Sequence, residues 1–486
     1  MAYRHGAYNS EQATSLTTPI QGSAALQVIF GTAPIHLSDN PRAAANTPKL
    51  CYSFAECVAA VGYSDDFEKF TLCQSIDANF RVFNVAPIIL VNVLDPDNAA
   101  HVTANQEESY PVEGGQVFYN VQGVLIDTLV VKNDGAALVP GSDYITERDT
   151  AGNVVITLLS VAAQEADNLS ISSTSTNPAG VTNEDIVGGV NVATGKETGL
   201  ELIRQIYPKF GLVPGLLLAP GWSQQPVVAA ALQAKVEALN GVFDCNCYLD
   251  IAADESGAIV YTDVKEAKEG MGASTNHGAA LWPMVAVGEK IYYYSAMFAA
   301  LTAYTDASNG DVPHASPSNK DLRITGTVLK DGTEVMLDQE QANLLNGQGV
   351  ITAINANGFK SWGNNTAAYP STTDPKDRWL AVRRFFDWDG NNFILTYFHK
   401  VDEPGNTRLI QSITDSQNII GNGYVARGYC AGYRVEFREN ENPITNLLDG
   451  HLTVHTFLAP YIPAEFIENI REYDVDALQA ALTGGA

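Results

Sequence analysis

The chain has 486 residues, too many for one ordinary core, and its 55 Asp and Glu against 28 Lys and Arg give a formal net charge of -27. A surface this acidic repels phosphate backbones, so nucleic acid is not an expected partner. Hydrophobic residues make up 45% of the chain and no run reaches membrane-spanning length, which describes a folded chain without direct membrane insertion.

Met-Ala-Tyr-Arg-His-Gly at the start carries no apolar leader, so synthesis and assembly are expected in the cytoplasm. Up to about Ser23 the chain is polar, with Gly6 and Pro19 and no helical period, yet Tyr3, Tyr8, Leu16 and Ile20 are apolar. Two readings fit, a frayed terminus and an arm that pairs with another chain.

From Ala24 the pattern becomes α/β. Ala25 to Gly31 and Pro87 to Val93 read as buried strands, and Ser53 to Val61 and Lys69 to Asn79 as amphipathic helices. The theme stops near Asp97 and resumes near Gly188. There Leu212 to Leu218, Val242 to Ile251 and Leu281 to Val287 read as strands, with helices over Pro226 to Leu239 and Val264 to Glu269. Such alternation favours a mainly parallel sheet covered on both faces.

The material between is different. Short alternating runs such as Val124 to Val131, Val154 to Leu159 and Leu169 to Thr176 are separated by Asn133-Asp134-Gly135 and other turn signals. That predicts a small all-β unit, an Ig-like sandwich or a simple barrel.

The run Leu345 to Thr366 is the most informative. A helix beginning near Asp338 ends at Leu344-Leu345, Gly347 and Gly349 suit positive φ, Val350 to Asn355 is a short buried strand, and Asn357-Gly358 and Trp362-Gly363 turn the chain. Beyond it, Trp379 to Trp388 and Phe393 to Lys400 around Asp387-Trp388-Asp389-Gly390-Asn391 predict a hairpin. Thr407 to Ile420 reads as a helix and Tyr433 to Arg438 as a strand. Pro443 to Leu448 is a short helix with Asn442 as N-cap and Pro443 at its first position, and His451 to Leu458 a strand. Phe466 to Ala486 mixes Glu468, Glu472, Asp474 and Asp476 with apolar residues, a second adhesive end.

Motifs that could carry chemistry are incomplete. Cys51, Cys57, Cys73, Cys245, Cys247 and Cys430 are sparse and read as reduced core thiols, and Cys245-Asn-Cys247 lacks a second ligand cluster. Gly189 and Gly195-Lys196-Glu197-Thr198 miss both the spacing and the hydroxyl of a phosphate loop. Gly221-Trp222-Ser223 sits where a nucleophile elbow would, with Gln225 in place of the second glycine. His451 and His455 fall on one strand face without the Glu and helix of a zinc protease motif. A calcium loop starting at Asp387 would need Glu where Phe398 stands.

The pattern Leu345-Asn-x-x-Gly-Val350, then Ile, Gly and Trp362-Gly-x-x-Thr366, followed by Arg378-Trp379 and Val382-Arg383-Arg384, resembles the contractile tail sheath family of phages and phage-tail-like bacteriocins. The likeness extends to Tyr3-Arg4-His5-Gly6-Ala7-Tyr8 with Pro19-Ile20, to Gly195 through Tyr207 with Ala219-Pro220-Gly221, and to Ser295 through Asp306 with Pro317-Ser318-Asn319. His5-Gly6-Ala7 replaces the family's usual Pro-Gly-Val, and Pro317-Ser318-Asn319 its Pro-Ala-Asn, which marks a divergent member.

The resemblance implies an α/β core of subtilisin-like type, split in sequence, with an inserted all-β domain, an α+β C-terminal domain and extended arms. The expected division is 1–23 N-terminal arm, 24–101 and 188–370 core, 102–187 insert, 371–465 C-terminal domain and 466–486 C-terminal arm. It implies a structural subunit that forms stacked hexameric rings around a tail tube and contracts to drive the tube through a bacterial envelope. Its partners would be copies of itself, the tube protein, and baseplate and terminator or collar proteins, in a virion or a released tail-like particle, with no cofactor, metal or catalytic residue. Inter-subunit arm residues would be Tyr3, His5, Tyr8, Ile467, Ile470, Tyr473 and Val475, acting by strand addition. Tube contact would fall to Asn442, Thr445, Asn446 and Asp449. A subtilisin-like core also calls for a Ser-His-Asp triad to be sought. The alternatives are a soluble α/β hydrolase-like enzyme with an accessory β domain and, more weakly, a surface-layer or adhesin module.

Overall fold

A computed structural model describes residues 20–21, 23–149 and 152–484. Tyr3, His5 and Tyr8 lie outside the described residues.

Continuous apolar runs build the centre of the molecule. Gln27–Gly31 (β1), Lys49–Cys51 (β2), Ile88–Asn92 (β3), Leu216–Leu218 (β4), Asn246–Asp250 (β5), Gly278–Leu281 (β6), Val350–Asn355 (β7) and Phe359–Trp362 (β8) form one eight-stranded sheet in the order β8-β7-β6-β5-β4-β1-β3-β2. The six inner strands run parallel, and β2 and β8 are antiparallel edges. Strands covered on both faces need no alternation, which is why Val-Ile-Phe, Ile-Ile-Leu-Val and Leu-Leu-Leu were readable as central strands. The helix Tyr294–Ser308 (α1) is buried over 12 of its 15 residues, as expected of a helix apolar on nearly every side. The expected mainly parallel α/β core is therefore present.

Between β3 and β4 the chain leaves this sheet. Gln116–Tyr119, Val154–Leu158 and Tyr144–Arg148 form one antiparallel sheet, and Val102–Pro111, Asn168–Thr176, Val130–Asn133 and Ala136–Ala137 another. Their inward side chains, among them Tyr119, Val131, Ile156 and Ile171, make a separate core. This is a two-sheet sandwich. Arg42 clamps it to the central body through Asp97 and Asp127, and Arg148 does so by donating to the main-chain oxygen of His36 at 2.9 Å.

Several expectations are corrected. Leu281 to Val287 is not one strand: β6 stops at Leu281, Pro283 cannot donate to a ladder, and Met284–Val287 joins a different three-stranded sheet. Gly349 has φ +70, but Gly347 closes its helix with an ordinary φ of -62. The largest correction concerns the predicted hairpin around Asp387. The chain there is a single helix, Leu380–Tyr397 (α2), and Asp387 and Asp389 are buried side chains rather than turn residues. No calcium-type loop forms.

A second long helix, Thr407–Ala426 (α3), precedes the antiparallel hairpin Cys430–Phe437 (β9) and Val454–Pro460 (β10). Asn406 accepts from the Leu409 amide and caps α3. α3 packs on β9 so closely that a Cβ at Gly421 would lie 2.0 Å from the Tyr433 ring. Ala is the better helix former by about 1 kcal/mol, yet Gly421→Ala should lower the unfolding free energy by about 1–3 kcal/mol because the ring has nowhere to move. Urea unfolding of the two proteins checks the sign.

Candidate assembly surfaces

The residues first singled out as diagnostic build an anchor. Asn346 Nδ2 donates to the main-chain oxygens of Val350 and Trp362, both at 3.0 Å, and Asn365 Nδ2 to that of Asn346 at 2.9 Å. Arg378 donates from Nε to Asn365 Oδ1 at 3.0 Å and stacks over Trp379. Lys268, whose pKa burial lowers to about 8, donates to Gln348 and Tyr369 main-chain oxygens at 2.7 and 3.0 Å. Gly349 is required beside it, since a Cβ there would meet the Tyr369 oxygen at 2.2 Å.

Onto this framework the chain end is tied at one point. Glu465 accepts from Asn364 Nδ2 at 3.0 Å and pairs with Arg378 at 3.5 Å. Beyond it every described residue is exposed. Ile467 is 87% exposed, Ile470 84%, Tyr473 70% and Val475 62%, and Phe466, absent from the expected set, is 82% exposed. Residues 461–474 form neither helix nor strand. The expected extended arm ends there, because Val475–Thr483 is a helix (α4) capped by Asp474, which accepts from the Ala477 amide at 2.8 Å. Its Ala-Leu-Gln-Ala-Ala-Leu sequence explains the difference.

The hairpin lies beside α2 and α3. Tyr433 and Val435 face inward with Phe385 and Cys430, and the Tyr433 hydroxyl donates to Asp389 at 3.0 Å while accepting from Gln417. Burial pushes the Asp389 carboxyl up to about 6, with the Tyr433 bond pulling it back. On the outward face Arg434 and Arg438 cover the Phe457 ring at 4.1 and 4.6 Å. Among the described residues neither outer edge of β9/β10 pairs with a further strand.

The second expected surface is a five-residue helix, Ile444–Leu448, with Pro443 at its cap rather than inside it. Thr445, Asn446 and Asp449 are exposed, as are Ile444 and Leu448, which the sequence reading did not single out. Asn442 is buried. Its amide donates to the main-chain oxygens of Arg438 and Thr453 and accepts from the Thr453 amide, so it pins the loop and presents nothing outward.

The incomplete chemical motifs resolve as packing devices. Ser223 is buried at 0% exposure, donating to Asp250 Oδ2 at 3.2 Å and accepting from the Asp250 amide; its described side-chain partner is that carboxylate, not an imidazole. Asp250 also accepts from the Ser295 hydroxyl and amide. Residues 189–190 and 197–198 form a small antiparallel hairpin. His455 lies in β10 and pairs with Glu441, but His451 precedes the strand, so the two do not share a strand face. Cys245 and Cys247 are buried free thiols, and Cys245 precedes β5. Among the described residues no group of His, Cys, Asp or Glu could hold a metal ion, and no helix is long and apolar enough to cross a membrane.

No family model matches the chain. It is 28% identical over 477 residues to the tail sheath protein of Burkholderia phage BcepMu, covering 93% of each chain. Its fold matches a chain in the cryo-EM structure of the anti-feeding prophage baseplate, with TM-score 0.57, 15% identity and coverage of 98% and 100%. It also matches a chain of the sheath complex of an extracellular contractile injection system in the contracted state, with TM-score 0.56, 16% identity and coverage of 98% and 99%. The near-complete alignment to a phage tail sheath protein, with the shared fold, supports a contractile tail sheath protein.

Proposed function

We propose that the chain polymerises as stacked hexameric rings around a tail tube and shortens in one concerted event that drives the tube through a bacterial envelope. The observation that carries this reading is the apolar, exposed segment beyond Glu465, leaving a fixed anchor in a molecule whose β9/β10 hairpin has no further strand paired to it among the described residues. Such a pair of surfaces suits strand addition between copies, with the two chain ends as arms and the bodies 24–465 free to change their mutual packing. The extended lattice would be a kinetically trapped state that relaxes when the bodies bury more complementary surface.

The short helix Ile444–Leu448 with Thr445, Asn446 and Asp449 is the proposed tube contact. Copies of itself, the tube, and baseplate and terminator or collar proteins are the proposed partners, met in the host cytoplasm before the particle is released. No catalytic step is assigned to the chain. Electron microscopy of the purified full chain tests the reading: rings or helical tubes are expected, and a monodisperse monomer with hydrolase activity would overturn it.

Assembly should also depend on salt. At -27 per copy, bodies approach only where local basic groups meet acidic ones, and screening acts over about 8 Å at physiological ionic strength. Light scattering across a salt series should show a threshold; equal assembly in very low and moderate salt would contradict it.

A further inference from the structure

At the carboxyl ends of the parallel strands the central body opens into a cleft of about 1140 Å³. The chain leaves β1 for β3 on one side and returns to β4 on the other, so the strand order reverses at β1. In open α/β sheets ligands bind outside the carboxyl ends at such a reversal. The Leu72 amide donates to the Thr32 oxygen at 2.9 Å, which sets the helix Thr71–Asp77 at the end of β1. Asp254 and Glu255 follow β5, Met284 follows β6 and Tyr293 precedes α1, and all of them line the cleft.

Seven carboxylates and two ammonium groups face this space. Both lysines are taken, Lys290 by Asp65 at 2.7 Å and Lys330 by Asp254 at 3.7 Å. Asp66 pairs with Lys69 at 2.7 Å, and Asp331 accepts from the Thr333 amide at 2.9 Å. Among the described residues no hydrogen bond or ion pair engages Glu68, Glu255 or Glu289. Phe67, Met284 and Leu329 supply an apolar wall, and Ile259 beside them is 48% exposed. Gln74 also lines the cleft and is 1% exposed. Its Oε1 accepts from the Tyr293 amide at 2.8 Å, whereas its Nε2 has no partner among the described residues. A buried N–H without an acceptor is costly, so it points to an acceptor brought from outside.

We propose that this cleft binds a basic peptide segment of another protein, an extended stretch in which Lys or Arg stands beside apolar residues. The cationic groups meet Glu68, Glu255 and Glu289, apolar side chains cover Ile259, and a main-chain carbonyl accepts from Gln74 Nε2. The volume exceeds that of most small-molecule pockets. A metal ion does not suit the site, since among the described residues no group of His, Cys, Asp or Glu could hold one, and the acidic lining repels phosphate. A second copy suits it poorly, because it carries the same net charge of -27 and its one adjacent basic pair, Arg383-Arg384, is held by Asp387 and Asp306. The site is independent of ring formation and of the chain ends.

Fluorescence anisotropy of the full chain with a labelled acetyl-Lys-Leu-Lys-Leu-Lys-amide tests this. Saturable binding at one site per chain is expected, and no binding of the matching peptide with Glu in place of Lys. Exposed ion pairs each contribute modestly, so the triple change Glu68→Gln, Glu255→Gln and Glu289→Gln should weaken binding about tenfold. All three side chains are exposed, so the unfolding midpoint should hold. Glu165→Gln, Glu184→Gln and Glu340→Gln remove as much charge from exposed positions elsewhere and should leave binding unchanged. Equal weakening by the two triple changes would mean diffuse attraction to an acidic surface and would overturn the site. Spermidine carries three positive charges and no carbonyl, and should compete about tenfold more weakly than the unlabelled peptide. Equal competition would overturn the peptide in favour of a small polycation, and an unchanged anisotropy would overturn the proposal outright.

Discussion

Replacing Arg384 by Ala should lower the unfolding free energy by about 3–5 kcal/mol, the largest single-residue effect expected in the body. Arg384 on α2 is 3% exposed and forks onto Asp306 of α1, which is 0% exposed, with Nη1 donating to Oδ1 at 3.2 Å and Nη2 to Oδ2. Burial pushes the Asp306 carboxyl up and Arg384 pulls it back, so truncating the cation leaves a desolvated charge with no compensation. The double change Asp306→Leu with Arg384→Met should recover most of the loss, because apolar replacements of a buried pair are often neutral or better. Urea unfolding of the full chain measures both, and a loss under about 1 kcal/mol for the single change would mean that water reaches the pair.

Long-range partners also explain why part of the fold was hidden from local reading. Asp387-Trp388-Asp389-Gly390-Asn391 carries every sign of a turn, yet each polar group is answered from far along the chain. Asn246 and His277 bond Asp387, Asp389 accepts from Tyr433, and Asn391 exchanges bonds with Asp244. Tertiary partners override a propensity argument that sees only neighbours. Strands β1, β3, β4, β5 and β7 were legible because each carries buried apolar side chains on both faces, a property the sequence states directly. The sandwich was legible for the opposite reason, its strict alternation between turn signals. Of the assembly surfaces, the exposed apolar end was readable from composition. The buried placement of Asn442 was not, since it depends on which main chain lies within reach.

A chain ending after Glu465 should fold as well as the full chain and fail to form tubes. The described residues beyond that point are exposed, so removing them costs the monomer little packing. In the lattice they matter in proportion to what they would bury. Each paired backbone group contributes about 1 kcal/mol net, and each large apolar side chain about 1.5–3 kcal/mol when covered. Phe466, Ile467, Ile470 and Tyr473 together would supply several such increments at every joint. Sedimentation and microscopy of the truncated chain should therefore show monomers with an unchanged unfolding midpoint. Normal tubes from that chain would remove the C-terminal arm from the account, and a lowered midpoint would mean that the segment packs on its own body.

Helical reconstruction of the assembled chain addresses the central claim most directly. The account predicts that the β9/β10 hairpin of each subunit gains at least one strand, contributed by residues 466–473 of a neighbour, while Glu465 stays on Asn364 and Arg378 of its own subunit. A two-stranded hairpin in the assembled state, with residues 466–473 folded back on their own body, would contradict it.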